Sequence, residues 1–422
     1  MAGPICIIGG GVIGLAAARA LALRGREVVV LDREREPAVG CSAGNAGMVV
    51  PSHFVPLAAP GMVGKGLRWW LTDPEGPFAL PLRLDLDLLR WGVQFWRSCS
   101  KAHVARSKGT LVRLNLESRK LYEMWSRESG GAFHLEGKGM LMLCATQTAL
   151  DEEAHMAEEG RALGLTTRVL DADGAQAADP SWPTRVAGAV WIGEDAHLSP
   201  THLLAWLEAE CRRLRVAVRR GAEVVVLERD RSRIVGAKGT EQGAPARFDA
   251  EEYVVAGGAA SSALLRTAGM RVPLQAGKGY SFTIAEPERA PTTCSILVEA
   301  RVAVTPMAGA LRVGGTMELG ARDISVNMAR LRGIVKSIPR YFPAFDPSWV
   351  ETVKPWAGLR PCSPDGLPYV GRWPGVSNLI IATGHAMMGL SLAPVTAELV
   401  AAVLEGEGGA VALDLLRPER FA

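Results

Sequence analysis

The sequence predicts an α/β fold: a Rossmann-like domain into which an α+β domain, built on a largely antiparallel sheet, is interleaved. Three observations predict it. A buried strand, Ile5-Cys6-Ile7-Ile8, runs straight into glycines at G-x-G-x-x-G spacing: Gly9, Gly11 and Gly14. Near the far end Leu379-Ile380-Ile381-Ala382-Thr383 repeats the pattern of strand, glycine turn and helix. Between them, residues 271–354 read as mostly β, with the period-two alternation of half-buried strands.

Each part of the N-terminal stretch has a physical job. Gly9 allows the tight turn, Gly11 lets a pyrophosphate approach the backbone, and Gly14 lets the helix pack close to the strand. The helix expected from Leu15 to about Leu23 offers free N–H groups and a positive dipole end at its start. A second buried strand, Val28-Val29-Val30-Leu31, ends on Asp32, where a carboxylate accepts hydrogen bonds from a ribose. Strand, glycines, helix, strand and acid in that order signal a dinucleotide. An acid rather than an arginine at the ribose favours FAD or NAD over NADP.

The bulk properties narrow the class. A chain of 422 residues suits two domains. Apolar content of 48% and charged content of 22% are ordinary for a soluble globular protein. The net charge of +3, with no basic tract, does not imply nucleic acid. The seven cysteines are scattered, with no C-x-x-C and no histidine cluster, so neither a disulfide framework nor a metal site is signalled. The first strand leaves no room for a signal peptide, and a cytoplasmic protein is expected.

Further along, Cys41-Ser42-Ala43-Gly44-Asn45-Ala46-Gly47-Met48 is crowded with small residues that let a flat ring lie against backbone. The apolar run after it suggests that the loop turns inward. Residues 54–100 carry many prolines and four of the eleven tryptophans, Trp69, Trp70, Trp91 and Trp96. A helix-like stretch there opens at Leu84 and runs to about Ser98. It reads as a packing lid, or as a surface touching a membrane or an electron acceptor. A long helix follows from about His103 to Ser129. Strands are expected near 139–143, 216–218, 223–227 and 234–237, with helices over 151–164 and after Ser199-Pro200. Tyr253-Val254-Val255-Ala256 leads into Gly257, a second small-residue turn able to approach the cofactor. The expected boundaries are 1–60, 140–270 and 355–422 for the nucleotide-binding domain, and 61–139 with 271–354 for the covering domain.

Four stretches now carry a resemblance. They are Gly9 to Gly14, Ser42 to Met48, Gly358-Leu359-Arg360-Pro361 with Pro364-Asp365-Gly366-Leu367-Pro368, and Gly384-His385 with Gly389 and Leu392-Ala393-Pro394. Together they resemble FAD-dependent D-amino-acid dehydrogenases and their relatives, glycine and sarcosine oxidases. The likeness is strong at both ends and loose in the middle. It implies FAD bound extended: Gly9, Gly11, Val12, Ile13 and Gly14 at the pyrophosphate, and Asp32 and Arg33 at the adenosine ribose. Cys41, Ser42, Ala46, Gly47 and Met48 would pass the flavin, and Val224 would meet the adenine through its backbone. Gly384, Met388, Gly389, Leu390 and Ser391 would run under the ring system. Cys362 does not fall where sarcosine oxidase carries its flavin-linked cysteine, so non-covalent FAD is expected.

The same resemblance implies the substrate end. Arg360 matches the arginine that binds the substrate carboxylate in glycine oxidase. Met387 stands where those relatives carry a second arginine, which makes this pocket more apolar. Tyr280 is a second pocket candidate, as a hydroxyl near the substrate or as a core tyrosine. His385 is expected to make a structural hydrogen bond rather than act as a base. The implied reaction is oxidation of a D-amino acid at its Cα–N bond. Cyclic substrates such as cis-4-hydroxy-D-proline or D-proline are expected. An O₂-using amine oxidase and a non-catalytic FAD-binding protein are the alternatives. The expected partners are a small D-amino acid and an electron acceptor, a quinone or an electron-transfer protein, with peripheral contact to the inner membrane.

Overall fold

The strand Ile5–Ile8 lies inside a six-stranded sheet. The computed structural model describes residues 3–37, 39–73, 75–80, 85–407 and 413–422. The strand order is Tyr369–Arg372, Leu379–Thr383, Glu252–Val255, Ile5–Ile8, Val28–Asp32, Ala217–Arg220. Neighbours run parallel except Tyr369–Arg372, which is antiparallel to Leu379–Thr383. All four residues of Ile5–Ile8 and all five of Leu379–Thr383 are buried. Such unbroken apolar runs belong to strands covered on both faces.

Two layers provide that cover. On one side pack the helices Val12–Leu23, Lys101–Glu128, Pro200–Arg213 and Ala393–Glu405. Ala16, Ala17 and Ala20 of the first helix and Ala393, Ala397 and Ala401 of the last are buried in this cluster, and their small size permits close helix contact. Buried Arg19 lies over the rings of Trp125 and Trp206 and pairs with Glu128 at 2.5 Å and Glu210 at 3.3 Å. On the other side lies the three-stranded antiparallel sheet Ala222–Asp230, Arg233–Glu241, Ala244–Phe248, with the helix Ser261–Thr267.

A second, nine-stranded sheet runs Trp356–Cys362, Gln275–Ala285, Ala310–Leu319, Val302–Met307, Cys294–Leu297, Met140–Cys144, Gly188–Ile192, Thr167–Asp171. The short Phe78–Ala79 pairs with Ala310–Leu319. Its pairs are antiparallel except that one and Cys294–Leu297 with Met140–Cys144. The helix Met328–Ser337 and the rings of Trp182, Phe342 and Phe345 fill the core on one face. The other face turns toward a cavity between the two sheets.

The chain crosses between these layers more often than the expected boundaries allow. Met140–Cys144, Thr167–Asp171, Gly188–Ile192 and Trp356–Cys362 join the nine-stranded sheet, although 140–270 and 355–422 were assigned to the nucleotide side. Conversely, Leu111, Leu114, Tyr122 and Trp125 of the long helix fill the nucleotide-side core, although 61–139 was assigned to the cover. An apolar pentamer announces a strand but not its partner, and Met140–Cys144 pairs with a strand some 150 residues later. The helix expected from Leu84 runs over Leu86–Ser98, with Leu84 outside the described residues. The helix Met62–Thr72 was not foreseen. The cysteines of the described residues are all free. Burial pushes the thiols of Cys6, Cys144, Cys211 and Cys362 up to about 12 and raises those of Cys41, Cys99 and Cys294.

Candidate functional site

A cavity of about 2420 Å³ runs between the two sheets, from Gly9, Gly11, Val12, Ile13, Asp32 and Arg33 at one end to Tyr280, Trp356, Arg360, His385 and Met387 at the other. Typical small-molecule pockets hold about 300–1,000 Å³, so this space suits more than one molecule.

The nucleotide end is built by close approach. Gly9 has φ +115°, and a Cβ there would lie 2.5 Å from the Ala256 carbonyl oxygen. A Cβ on Gly14 would lie 1.8 Å from the Gly9 carbonyl oxygen. Gly14 therefore does not line the cavity; it lets the helix sit on the turn. A Cβ on Gly11 would press on Ser42 Oγ at 3.3 Å and meet nothing else within 4 Å. Ser42 Oγ accepts from the Val12 N–H at 3.1 Å, and the other first-turn N–H groups have no acceptor within the helix. Asp32 accepts from the Glu34 N–H at 3.1 Å and from Arg220 Nη1 at 2.7 Å. A carboxylate has further lone pairs for ribose hydroxyls. Arg220, on the neighbouring strand opposite Asp32, also pairs with Glu208. Val224 lines the wall beside a register shift that leaves Val225 without a cross-strand partner, so backbone there is free to meet a ring.

The loop over 41–48 crosses the cavity and is pinned from the nine-stranded sheet. Arg312 Nη1 donates to the carbonyls of Ala43 at 2.6 Å and Asn45 at 2.9 Å, and its Nε donates to Thr283 Oγ1 at 3.0 Å. Ser281 Oγ donates to the Gly44 carbonyl at 3.2 Å. Gly47 has φ +76° and packs on the Leu198 carbonyl rather than lining the cavity. Cys41, Ala46 and Met48 do line it.

The closing segment is held by the long helix. Tyr122 Oη donates to the Leu390 carbonyl at 2.6 Å and Ser118 Oγ to the Ser391 carbonyl at 2.5 Å. Ser391 lies behind the wall, donating to Asn115 Oδ1 and accepting from the Val50 N–H. Gly384, with φ +80°, makes the turn under the ring of Tyr369. Gly257, Met388, Gly389 and Leu390 line the cavity.

At the far end Arg360 lies on the edge strand Trp356–Cys362. Its Nη1 donates to the Thr316 carbonyl at 2.7 Å. No carboxylate among the described residues pairs with it, and burial lowers its pKa. Thr316 sits in the left-handed region at φ +66°, where a β-branched residue is an outlier. Thr316 and Met317 together oppose Gly279, a β-bulge that turns the Thr316 carbonyl toward the guanidinium.

Tyr280 is a core tyrosine. It touches the cavity wall, but its ring packs with Leu331 and Ile334, and its hydroxyl donates to Glu318 at 2.8 Å. Register explains this: Gly277, Gly279 and Ser281 share the face of Arg360, whereas Lys278 and Tyr280 face the other way. His385 Nε2 meets Thr396 Oγ1 at 3.0 Å, and burial pushes the ring down to about 3, so it is neutral at physiological pH. Met387 is 42% exposed beside the opening. Sequence reasoning missed Arg220, Arg312, Thr316 and the structural duty of Tyr122. It also missed a chain leading inward to buried Asp195, in which Ser52 Oγ donates to Asp195 at 2.5 Å and meets His53 Nδ1 at 3.2 Å.

This geometry can be set beside known proteins. A family described as FAD dependent oxidoreductase matches residues 4–403. The chain belongs to that family. It is 35% identical to a D-amino acid dehydrogenase of Methylobacterium radiotolerans, covering 99% of both chains. It is 33% identical to another from Cereibacter sphaeroides, over 99% of this chain and 95% of that one. Among solved structures it resembles glycine oxidase from Geobacillus kaustophilus, at TM-score 0.76 and 23% identity over 100% and 99% of the two chains. It also resembles L-proline dehydrogenase from P. horikoshii, at TM-score 0.73 and 19% identity over 100% and 98%. The glycine cradle, the free helix N-terminus and the acid at the strand tip fit FAD, the cofactor of this family.

Two outcomes follow from these contacts. Arg312→Ala removes the charged donor of two loop carbonyls and should weaken FAD binding at least tenfold, as read by flavin fluorescence on titration. Burial raises the Asp195 carboxyl to about 7 against the lowering effect of the Ser52 hydrogen bonds. The folded state then holds a proton that the unfolded state releases near pH 4. Stability should fall as pH rises from about 4 to about 7, and Asp195→Asn should flatten that part of a melting-temperature profile.

Proposed function

We propose that this flavoenzyme oxidises the Cα–N bond of a D-amino acid, with cyclic substrates such as cis-4-hydroxy-D-proline or D-proline preferred. The observation that carries the reading is Arg360, a half-buried guanidinium lining the cavity, with no carboxylate partner among the described residues. A cation drawn partly out of water without a counter-charge gains by taking one from a ligand, and an arginine fork takes a carboxylate through two parallel hydrogen bonds. The relatives named D-amino acid dehydrogenase supply the substrate class. Met387 and Trp356 keep the rest of this end apolar, which favours a ring of methylenes over a second charge.

The protein's own residues orient and desolvate the substrate. Thr316 holds one nitrogen of Arg360, which fixes the fork before the carboxylate arrives. Desolvation pushes the rings of His385 and His53 down to about 3 and about 4, so both are neutral and only weak proton acceptors at neutral pH. With no strong base supplied by these rings, the reaction starts from the neutral amine, whose lone pair assists departure of the Cα hydride. FAD, when bound, supplies the acceptor for that hydride. The product is an imino acid, which hydrolyses to a keto acid and ammonia when the amine is primary.

The place of Lys278 supports a dehydrogenase over an oxidase. A lysine above the flavin would favour reaction with O₂, but Lys278 faces away from Arg360 and meets Glu318 at 3.3 Å and Asp323 at 3.4 Å. The acceptor side is assigned to the helices Met62–Thr72 and Leu86–Ser98, which flank the cavity. Leu71, Leu86 and Trp96 on them are 67%, 71% and 64% exposed. Such stripes suit a membrane surface from which a quinone is reached. No helix among the described residues is long and apolar enough to cross a membrane.

Anaerobic mixing of the FAD-loaded protein with D- and L-amino acids tests the reaction. The flavin band near roughly 450 nm should bleach with D-proline or cis-4-hydroxy-D-proline and not with the L-forms. Bleaching by none of them would overturn the reading. Arg360→Lys should raise KM at least tenfold by loss of the fork, and an unchanged KM would remove Arg360 from the site. For the acceptor side, activity in a washed membrane fraction should be released by high salt. Fully soluble activity before the wash would overturn that assignment.

A further inference from the structure

The edge strand Trp356–Cys362 presents Trp356, Gly358 and Arg360 on one face, because side chains alternate along it. Opposite them, in register, stand Ser281, Gly279 and Gly277. The directly paired Gly358 and Gly279 leave a shallow floor. A Cβ on Gly279 would lie 2.0 Å from Arg360 Nη2, and a Cβ on Gly358 would lie 2.0 Å from Trp356 Cη2. The guanidinium thus lies over one glycine and the tip of the indole over its partner. Cβ positions across such a pair are about 4.5–5.5 Å apart, so guanidinium and indole are no more than about 10 Å apart.

The indole is also fixed in place. A Cβ on Gly44 would lie 2.3 Å from Trp356 Cδ2 and 2.4 Å from Cε2 and Cε3, so the ring fills the space that this glycine leaves. Gly44 belongs to the loop pinned by Arg312 and Ser281. The ring is half-buried, lines the cavity, and its Nε1 makes no hydrogen bond to the described residues. Loop and sheet together set the orientation of the ring.

We propose that Trp356 determines specificity: its indole is the wall against which the Cα substituent rests, and it selects compact or ring-closed substituents over long aromatic ones. The proposal rests on Arg360 as carboxylate anchor. A carboxylate on that fork stands about 2.8 Å from the nitrogens, and the first side-chain carbon lies about 2.5 Å beyond the carboxyl carbon. In the space available those first atoms reach van der Waals contact with the indole. A five-membered ring lies flat there, and a benzyl group collides.

The test uses FAD-loaded wild type, Trp356→Ala, Trp356→Phe and Arg360→Lys. Turnover is measured with D-alanine, D-proline and D-phenylalanine. Trp356→Ala should raise the kcat/KM ratio of D-phenylalanine to D-proline at least tenfold, with Trp356→Phe moving it less in the same direction. A uniform change for all three, as a merely structural role would give, overturns the proposal. A second readout needs no turnover. Dissociation constants for pyrrole-2-carboxylate and naphthalene-2-carboxylate are read from perturbation of the bound flavin spectrum. Trp356→Ala should weaken the first and tighten the second, whereas Arg360→Lys should weaken both. Size discrimination that persists without any D-amino-acid turnover leaves this inference standing and overturns only the assigned reaction. Both carboxylates unaffected by Arg360→Lys would overturn the anchor and this inference with it. Should Trp356→Ala fail to fold, Trp356→Phe carries both readouts, and an unchanged preference there overturns the proposal.

Discussion

The half-buried guanidinium of Arg312 is the tie on which the cavity depends. It rises from the nine-stranded sheet and donates to two carbonyls of the loop that leaves the nucleotide-binding side. Burial makes that charge expensive, so the carbonyl dipoles that complete it are held firmly in return. The loop in turn fixes Gly44 against Trp356 and offers Ser42 to the first N–H of the opening helix. One side chain, helped by Ser281, therefore ties the loop to the nine-stranded sheet and so to the aromatic wall.

Glycines do the complementary work by leaving atoms out. Gly9 and Gly14 bring turn and helix together, while Gly279 and Gly358 clear a floor for the arginine and the indole. The two sets differ in what they approach. The first meets backbone, which cannot move, and the second meets the ends of side chains that must lie flat. The bulge at Thr316 belongs to the same economy of position, since a strained residue is kept where its carbonyl orients the Arg360 guanidinium.

How much of this was legible in the sequence follows from range. The strand, glycines, helix and terminal acid of residues 5–32 act locally, and their pattern names their structure directly. The paired motifs at the two ends carried the family and its cofactor. Long-range pairing left no such mark. Nothing in Gly139–Leu143 says that its partner lies at Cys294–Leu297, so the boundaries between the layers were drawn elsewhere. Arg312 and Arg220 looked like any strand arginine, because a buried cation is distinguished by its surroundings and not by its neighbours in sequence. Tyr280 was ambiguous for a related reason: only the register with Trp356–Cys362 tells which face it takes.

The burial of the thiols has a consequence for chemical durability. A reduced flavin that meets oxygen by accident yields peroxide inside its own protein, and peroxide attacks thiolates far faster than thiols. Five of the seven sulfurs are buried and two are half-buried, desolvation favours the protonated form of each, and none is tied up in a disulfide. A catalyst built this way offers its own stray by-product few thiolates to attack.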